Sequence, residues 1–330
     1  MITRDIAYIG VDDTDLDLFE SQYIIPNGIS YNSYLIKDKK IAVMDTADNR
    51  KIDEWLENLR TALDGRTPDY LVVQHMEPDH AGCIAEILEE YPAIKIVASA
   101  RAIQMMPQFF EGKDFSQNAI AVKEGDTLSL GEHTLQFFMA PMVHWPEVMV
   151  TYDKKDKVVF SADGFGKFGA LSHEEDWACE ARRYYFNICG KYGGPVQALL
   201  KKLATLDVEC ICPLHGPILK ENLGYYIGLY DTWSKYDVET EGVFIAYASI
   251  HGGTAAVANV MAEILREKGA KKVSVADISR DDMAEAIEDA FRMDKMIVAA
   301  ASYDGGVFPV MHDFLHHLQI KAYQKRRVGI

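Results

Sequence analysis

The chain has 330 residues, 48% hydrophobic and 25% charged, with a formal net charge of −16 and a pI near 5.0. That length exceeds one ordinary core and predicts two domains. The acidity argues against nucleic acid and anionic membrane surfaces as partners. The N-terminus, MITRDIAYIG, has no basic stretch followed by an apolar one, and no run approaches the roughly 18 apolar residues of a membrane span. Five cysteines form no CxxC pair, which fits reduced thiols and a cytoplasmic location. Cys210 and Cys212 share one face of a strand and are expected to be buried.

In chain order, Tyr31 to Ala47 reads as two strands about a KDKK turn, followed by a helix from Ile52 to Leu63 and the buried strand YLVVQH. Gly82 to Glu90 reads as helix and KIVAS, Lys95 to Ser99, as strand. Ala119 to Ala140 reads as hairpin material turning at Gly125-Asp126 and Gly131, and EVMVTYDKKDKVVFSADG as a second hairpin turning at Asp153 to Asp156. Two helices then lead to VECICPLHG. Strands with helices outside both halves predict an αββα sandwich.

After the polar stretch Ser234 to Gly242 the rhythm becomes strictly strand, helix, strand, helix, which predicts a doubly wound parallel sheet. The expected domains are therefore residues 1–238 and 242–330. Four strands are visible if the last begins at Val328, whereas a flavodoxin-type sheet needs five. The second unit reads as incomplete and the chain as a fragment of a longer protein.

The chemistry concentrates in VVQHMEPDHAG, which places His75, Glu77, Asp79 and His80 within six residues at the end of a strand. Extended backbone would put His75, Glu77 and Asp79 on one face, with His80 turning in as a helix begins. Further donors stand at other strand ends: His144 in PMVHWPE, Asp163 in FSADGFG and His215 in CPLHGP. Four histidines and three carboxylates are a donor set for two metal ions, with Asp163 the natural bridge because a carboxylate offers two oxygens. The remaining histidines lie outside this pattern and, apart from His251 in the second unit, are read as structural or surface residues.

This ordered pattern resembles the metallo-β-lactamase superfamily. Its hydrolytic members carry H-x-H-x-D-H, where this chain has Glu77 in place of the second histidine. A hard anionic oxygen there suits an iron pair that cycles between two oxidation states.

In the second unit, Ser249, His251, Gly252, Gly253 and Thr254 stand at a strand-to-helix turn suited to a phosphate monoester, without a Walker lysine or G-x-G-x-x-G. Ser302, Tyr303, Asp304, Gly305, Gly306 and Phe308 follow the third strand, where such folds bind a flavin ring. HMEPDH, VHWPE, SADGFG and CPLHGP, followed by these loops, resemble the flavodiiron family. Gly253 departs from the Asn often found there.

The resemblance implies FMN, two iron ions, and reduction of O2 to water or NO to N2O. It further implies a head-to-tail homodimer supplied by rubredoxin or, as in methanogenic relatives, by reduced coenzyme F420. The rival readings are a zinc or iron hydrolase of the metallo-β-lactamase fold with a non-functional flavodoxin appendage, and a flavodoxin-like carrier or gas sensor.

Overall fold

The computed structural model describes residues 2–330. Two sheets form a sandwich. The first runs, neighbour to neighbour, Ile6–Tyr8, Tyr34–Lys37, Ile41–Met44, Tyr70–Val73, Lys95–Ser99 and Ala119–Val122. The second runs Thr127–Ser129, Thr134–Met139, Met149–Asp153, Val158–Phe160 and Cys210–Cys212. Between them lies a shared core that includes Tyr34, Ile36, Val72, Val97, Phe137, Phe160 and Cys212. On the outer faces, helices such as Ile52–Leu63 lay down an apolar stripe of Trp55, Leu56, Leu59 and Leu63. The αββα sandwich read from the sequence is thus the observed architecture.

One expectation changes. Ala119–Val122 does not pair with the segment after it but adds in parallel to Lys95–Ser99 in the first sheet. Thr127–Ser129 pairs antiparallel with Thr134–Met139 in the second. The Gly125 turn is therefore the passage from one sheet to the other, and only Gly131 closes a hairpin. Alternating polar and apolar residues look alike whether the partner strand lies in the same sheet or the next.

The third sheet is parallel throughout, in the order Val273–Asp277, Thr240–Ala248, Met293–Ala300, Arg327–Gly329. Helices Gly253–Glu267, Met283–Arg292 and Pro309–Ile320 cross between its strands. This is the doubly wound, flavodoxin-like unit expected, with a two-stranded hairpin, Ser302–Tyr303 with Gly306–Val307, after the third strand in sequence.

Helix Trp177–Ile188 of the sandwich joins the two units. Phe186 stacks on Phe291 with ring centroids 4.4 Å apart. Arg182, almost fully buried, makes a bidentate pair with Glu239 at 2.6 and 2.7 Å and reaches Glu288 at 2.8 Å. The same helix lays Tyr184 against the ring of His215, 5.5 Å away, so it connects the second unit to the ligand cluster.

Candidate metal centre and flavin loops

Strand Tyr70–Val73 delivers His75 just beyond its end, and the chain then turns sharply. Glu77 keeps an extended conformation as the residue capping the helical turn Pro78–Ala81, with Pro78 at its first position, where a ring-locked φ costs nothing. Gly82 closes the turn: a Cβ there would lie 2.5 Å from the Pro78 carbonyl oxygen and 2.8 Å from the Asn49 nitrogen. His80 is fixed through its carbonyl, which accepts from the Thr46 N–H and hydroxyl.

Because the backbone turns at Pro78, Asp79 does not share a face with His75 and Glu77. The seven candidates split into two groups, His75, Glu77, His144 and Asp163 in one and Asp79, His80 and His215 in the other. Asp163 lies between them. Its Oδ2 stands 3.2 Å from the Nε2 atoms of both His75 and His144, and its Oδ1 lies 3.1 Å from His80 Nε2 and 3.8 Å from His215 Nε2. Glu77 Oε2 lies 3.1 Å from His75 Nε2 and 3.0 Å from His144 Nε2, and Asp79 Oδ2 lies 3.2 Å from His215 Nε2. Metal–ligand bonds of about 2.0–2.2 Å give donor–donor edges of about 3.0–3.5 Å, so both groups have the spacing of a coordination shell.

The residues fit a metal pair on a second ground. Both oxygens of Asp79, both of Asp163, both ring nitrogens of His80 and Nε2 of His215 are buried without a hydrogen-bond partner. Orphaned polar atoms are rare and costly inside a protein, and a cluster of them around the two donor groups calls for cations. The charge balance agrees. Burial pushes Asp163 up, but the charges of His75 and His80 and the close imidazole of His144 hold it well below the usual carboxylate range. Burial pushes His144 down, yet Asp163 and Glu77 raise it to about 9. The imidazoles stand in for the positive charge that two cations would bring.

Further residues set the ligands. His75 Nδ1 donates to Glu147 Oε1 at 2.8 Å, and the same oxygen accepts from Met76 N at 2.9 Å. His215 Nδ1 donates to the Ser30 carbonyl at 2.7 Å. Both histidines are thereby held with Nε2 free to bind, as metal-ligating imidazoles require. Glu147 follows three residues after His144 within VHWPE, a spacing that could have marked it; a backbone carbonyl such as that of Ser30 leaves no mark in the sequence. Glu20 was also missed. Burial, together with the charge of Glu77, raises it to about 7. It lines two cavities that reach the cluster, one of about 270 Å³ with His144, Trp145, Lys191 and Lys321, the other of about 220 Å³ with Glu77 and Asp79.

The histidines set aside as structural fall as expected where the structure tests them. His133 is buried, donating to Asp153 at 2.9 Å, and His173 lies beside the exposed Ser172.

The two loops expected to hold the flavin lie at the carboxyl ends of neighbouring parallel strands, Thr240–Ala248 and Met293–Ala300. Ser249 Oγ accepts from Gly252 N at 3.0 Å, and Gly252 has φ +86°. No side chain caps helix Gly253–Glu267, which leaves its first N–H groups free for a phosphate. Gly305, Gly306 and Ser302 border a cavity of about 450 Å³ floored by Val298, Met311 and Leu315. Tyr303 is half exposed, 5.9 Å from the Phe308 ring. The second of these loops, ending at Phe308, leads into helix Pro309–Ile320, whereas Ile320 and Lys321 at the far end of that helix line the cavity beside His144. Twelve residues at 1.5 Å each separate them by about 18 Å along the helix axis. Among the described residues no helix is long and apolar enough to cross a membrane.

Comparison with known proteins agrees with this geometry. A family model described as "ODP family beta lactamase" matches residues 29–216. An uncharacterised protein of Methanocaldococcus jannaschii is 31% identical over 96% of this chain and 81% of its own length. The anaerobic nitric oxide reductase flavorubredoxin of Escherichia coli is 28% identical over the whole chain and 71% of its own. Rubredoxin oxygen:oxidoreductase from Desulfovibrio gigas superposes with a TM-score of 0.93 at 28% identity, covering all of this chain and 84% of that one. The flavo di-iron protein of Thermotoga maritima superposes with a TM-score of 0.89 at 26% identity, covering 98% and 83%. The chain belongs to the flavodiiron protein family.

Proposed function

We propose that the protein is an oxidoreductase that reduces O2 to water or NO to N2O at a diiron site, with electrons delivered through FMN. The observation that carries this reading is the donor set: His75, Glu77, Asp79, His80, His144, Asp163 and His215 converge in two groups, and the binding atoms of Asp79, His80, Asp163 and His215 are buried without a hydrogen-bond partner. Glu77 supplies an oxygen donor where hydrolytic relatives of the fold place a nitrogen. Two irons cycling between ferrous and ferric supply two electrons and FMN two more, the four that reduction of O2 to two waters requires.

The protein's own residues do the rest. Glu147 and the Ser30 carbonyl lock the tautomers of His75 and His215. Trp145 packs edge-on against His75 at 5.2 Å and stacks on Phe109, shielding that side from bulk water. Glu20 stands at the mouth of the site, where desolvation and the charge of Glu77 raise its carboxyl to about 7. FMN is assigned to Ser249, His251, Gly252, Gly253 and Thr254 for its phosphate and to Ser302, Tyr303, Asp304, Gly305, Gly306 and Phe308 for its ring.

The domains are taken as 1–238 and 242–330. The loop assigned to the flavin ring and the metal cavity lie at opposite ends of helix Pro309–Ile320. This separation supports a head-to-tail homodimer in which the flavin of one subunit serves the irons of its partner. Rubredoxin is the first donor to try and reduced F420 the second.

The test is consumption of O2 and of NO, measured separately, by iron- and FMN-loaded protein given a reduced donor. The proposal expects turnover of at least one gas, with water or N2O as product. No consumption of either gas by fully loaded, donor-reduced protein would overturn it.

A further inference from the structure

Cys210 and Cys212 take no part in the metal site, yet their sulfurs lie 3.9 Å apart. They occupy the last strand of the second sheet, side by side on the face that looks into the inter-sheet core with Tyr34 and Phe160. Residues i and i+2 of a strand have Cα atoms about 6.6–6.8 Å apart. That is the upper end of the span a disulfide bridges, about 4.4–6.8 Å. We propose that Cys210 and Cys212 form an oxidation site, a dithiol that a hydroperoxide closes into a reversible intrastrand disulfide.

The two sulfurs are unequal in a way that suits this chemistry. The Cys210 thiol is lowered by the hydrogen bond with Cys212, against the upward push of its own burial and with a smaller contribution from the Lys220 ammonium, whereas burial raises Cys212 well above its ordinary value. Burial also raises Cys83 to about 12 and Cys179 to about 11, and raises Cys189 as well. Cys210, 4% exposed where Cys212 is fully enclosed, is the sulfur a peroxide reaches first and hence the attacking thiol, and Cys212 is the resolving one.

The Cys210 sulfur attacks one peroxide oxygen, the O–O bond breaks, an alcohol or water leaves, and Cys210 becomes a sulfenic acid. The Cys212 sulfur then displaces water from it to form the S–S bond. Two thiols and one hydroperoxide give one disulfide, one alcohol or water and one further water, with two electrons passing from sulfur to peroxide.

Closing the bridge bends the strand at Ile211, because the sulfurs must approach from 3.9 Å to about 2.05 Å. Pro213, directly after Cys212, has its carbonyl held by Asn32 Nδ2 at 2.8 Å and the Tyr34 hydroxyl at 2.5 Å, and His215 lies two residues further on. A strained bridge is the more readily reduced, which makes the modification reversible.

The test does not depend on the proposed activity. The full-length protein is treated with hydrogen peroxide, quenched, alkylated with iodoacetamide and digested with trypsin. Peptide 203–220, bounded by Lys202 and Lys220, carries both cysteines and no other. The expected result is an unalkylated peptide lighter than its dithiol form by two hydrogens, which takes up two alkyl groups after dithiothreitol. In Cys212→Ser, dimedone should label Cys210 instead. A peptide that still takes two alkyl groups after peroxide, or that goes straight to sulfonic acids, would overturn the proposal.

Discussion

Removing the carboxylate behind His75 tests how much of metal affinity is set outside the ligands themselves. Glu147 is 2% exposed, and its Oε1 alone serves both His75 Nδ1 and Met76 N, while its Oε2 has no partner. Burial pushes this carboxyl up, but the hydrogen bond and charge of His75 more than offset that, so it stays ionised. Glu147→Gln keeps an acceptor oxygen and nearly the same shape, so it removes mainly the charge. Such a charge about doubles the strength of the hydrogen bond and makes the imidazole a better donor to metal. Loss of an outer partner of this kind costs about 10- to 100-fold in metal affinity, or about 1.4–2.7 kcal/mol.

Glu147→Gln is expected near the lower figure. Glu147→Ala should reach the upper one and also strip the acceptor from two buried N–H groups, at about 1–3 kcal/mol of folding stability each. Competition with a chromophoric chelator measures the affinity, and urea unfolding of the metal-free protein measures the stability. Wild-type affinity in both variants would refute the reasoning, since His75 would then need no partner to present Nε2.

Three further outcomes follow from the same structure. Arg182→Met strands Glu239 and Glu288 at the junction of the two units and should cost about 3–5 kcal/mol in urea unfolding, with part recovered when Glu288→Gln is added; a loss below about 1 kcal/mol would contradict the buried pairing. Phe291→Ala removes the ring stacked on Phe186 and should cost about 3–5 kcal/mol, read by the same assay. His133 is raised above its ordinary value because Asp153, and then Asp5, outweigh burial. Its stabilising contribution is complete below about pH 6.5 and is lost as pH rises through the raised value. His133→Gln should therefore be more destabilising at pH 6 than at pH 9, and the reverse order would contradict the assignment.

The fold was legible because apolar periodicity survives without tertiary context: Ile52–Leu63, Lys95–Ser99 and the alternation after Thr240 stand where pattern puts them. The ligands were legible because four of them crowd into one turn and the other three each follow an apolar strand. Their division into two groups was not, because it depends on the helical turn that Pro78 begins, which carries Asp79 away from Glu77. Glu20 and the Ser30 carbonyl reach the site from the N-terminal segment by folding alone, with nothing local to announce them. The passage of the chain between sheets at Gly125 was hidden for the same reason, since strand pattern does not name its partner.

The central claim is that these seven side chains hold two irons. The most direct test is the metal content of protein purified without oxygen or added metal, from cells grown with iron plentiful. The account predicts close to two irons per chain, falling in variants such as Glu77→Ala and Asp163→Ala. Two zinc ions per chain under those conditions would contradict it.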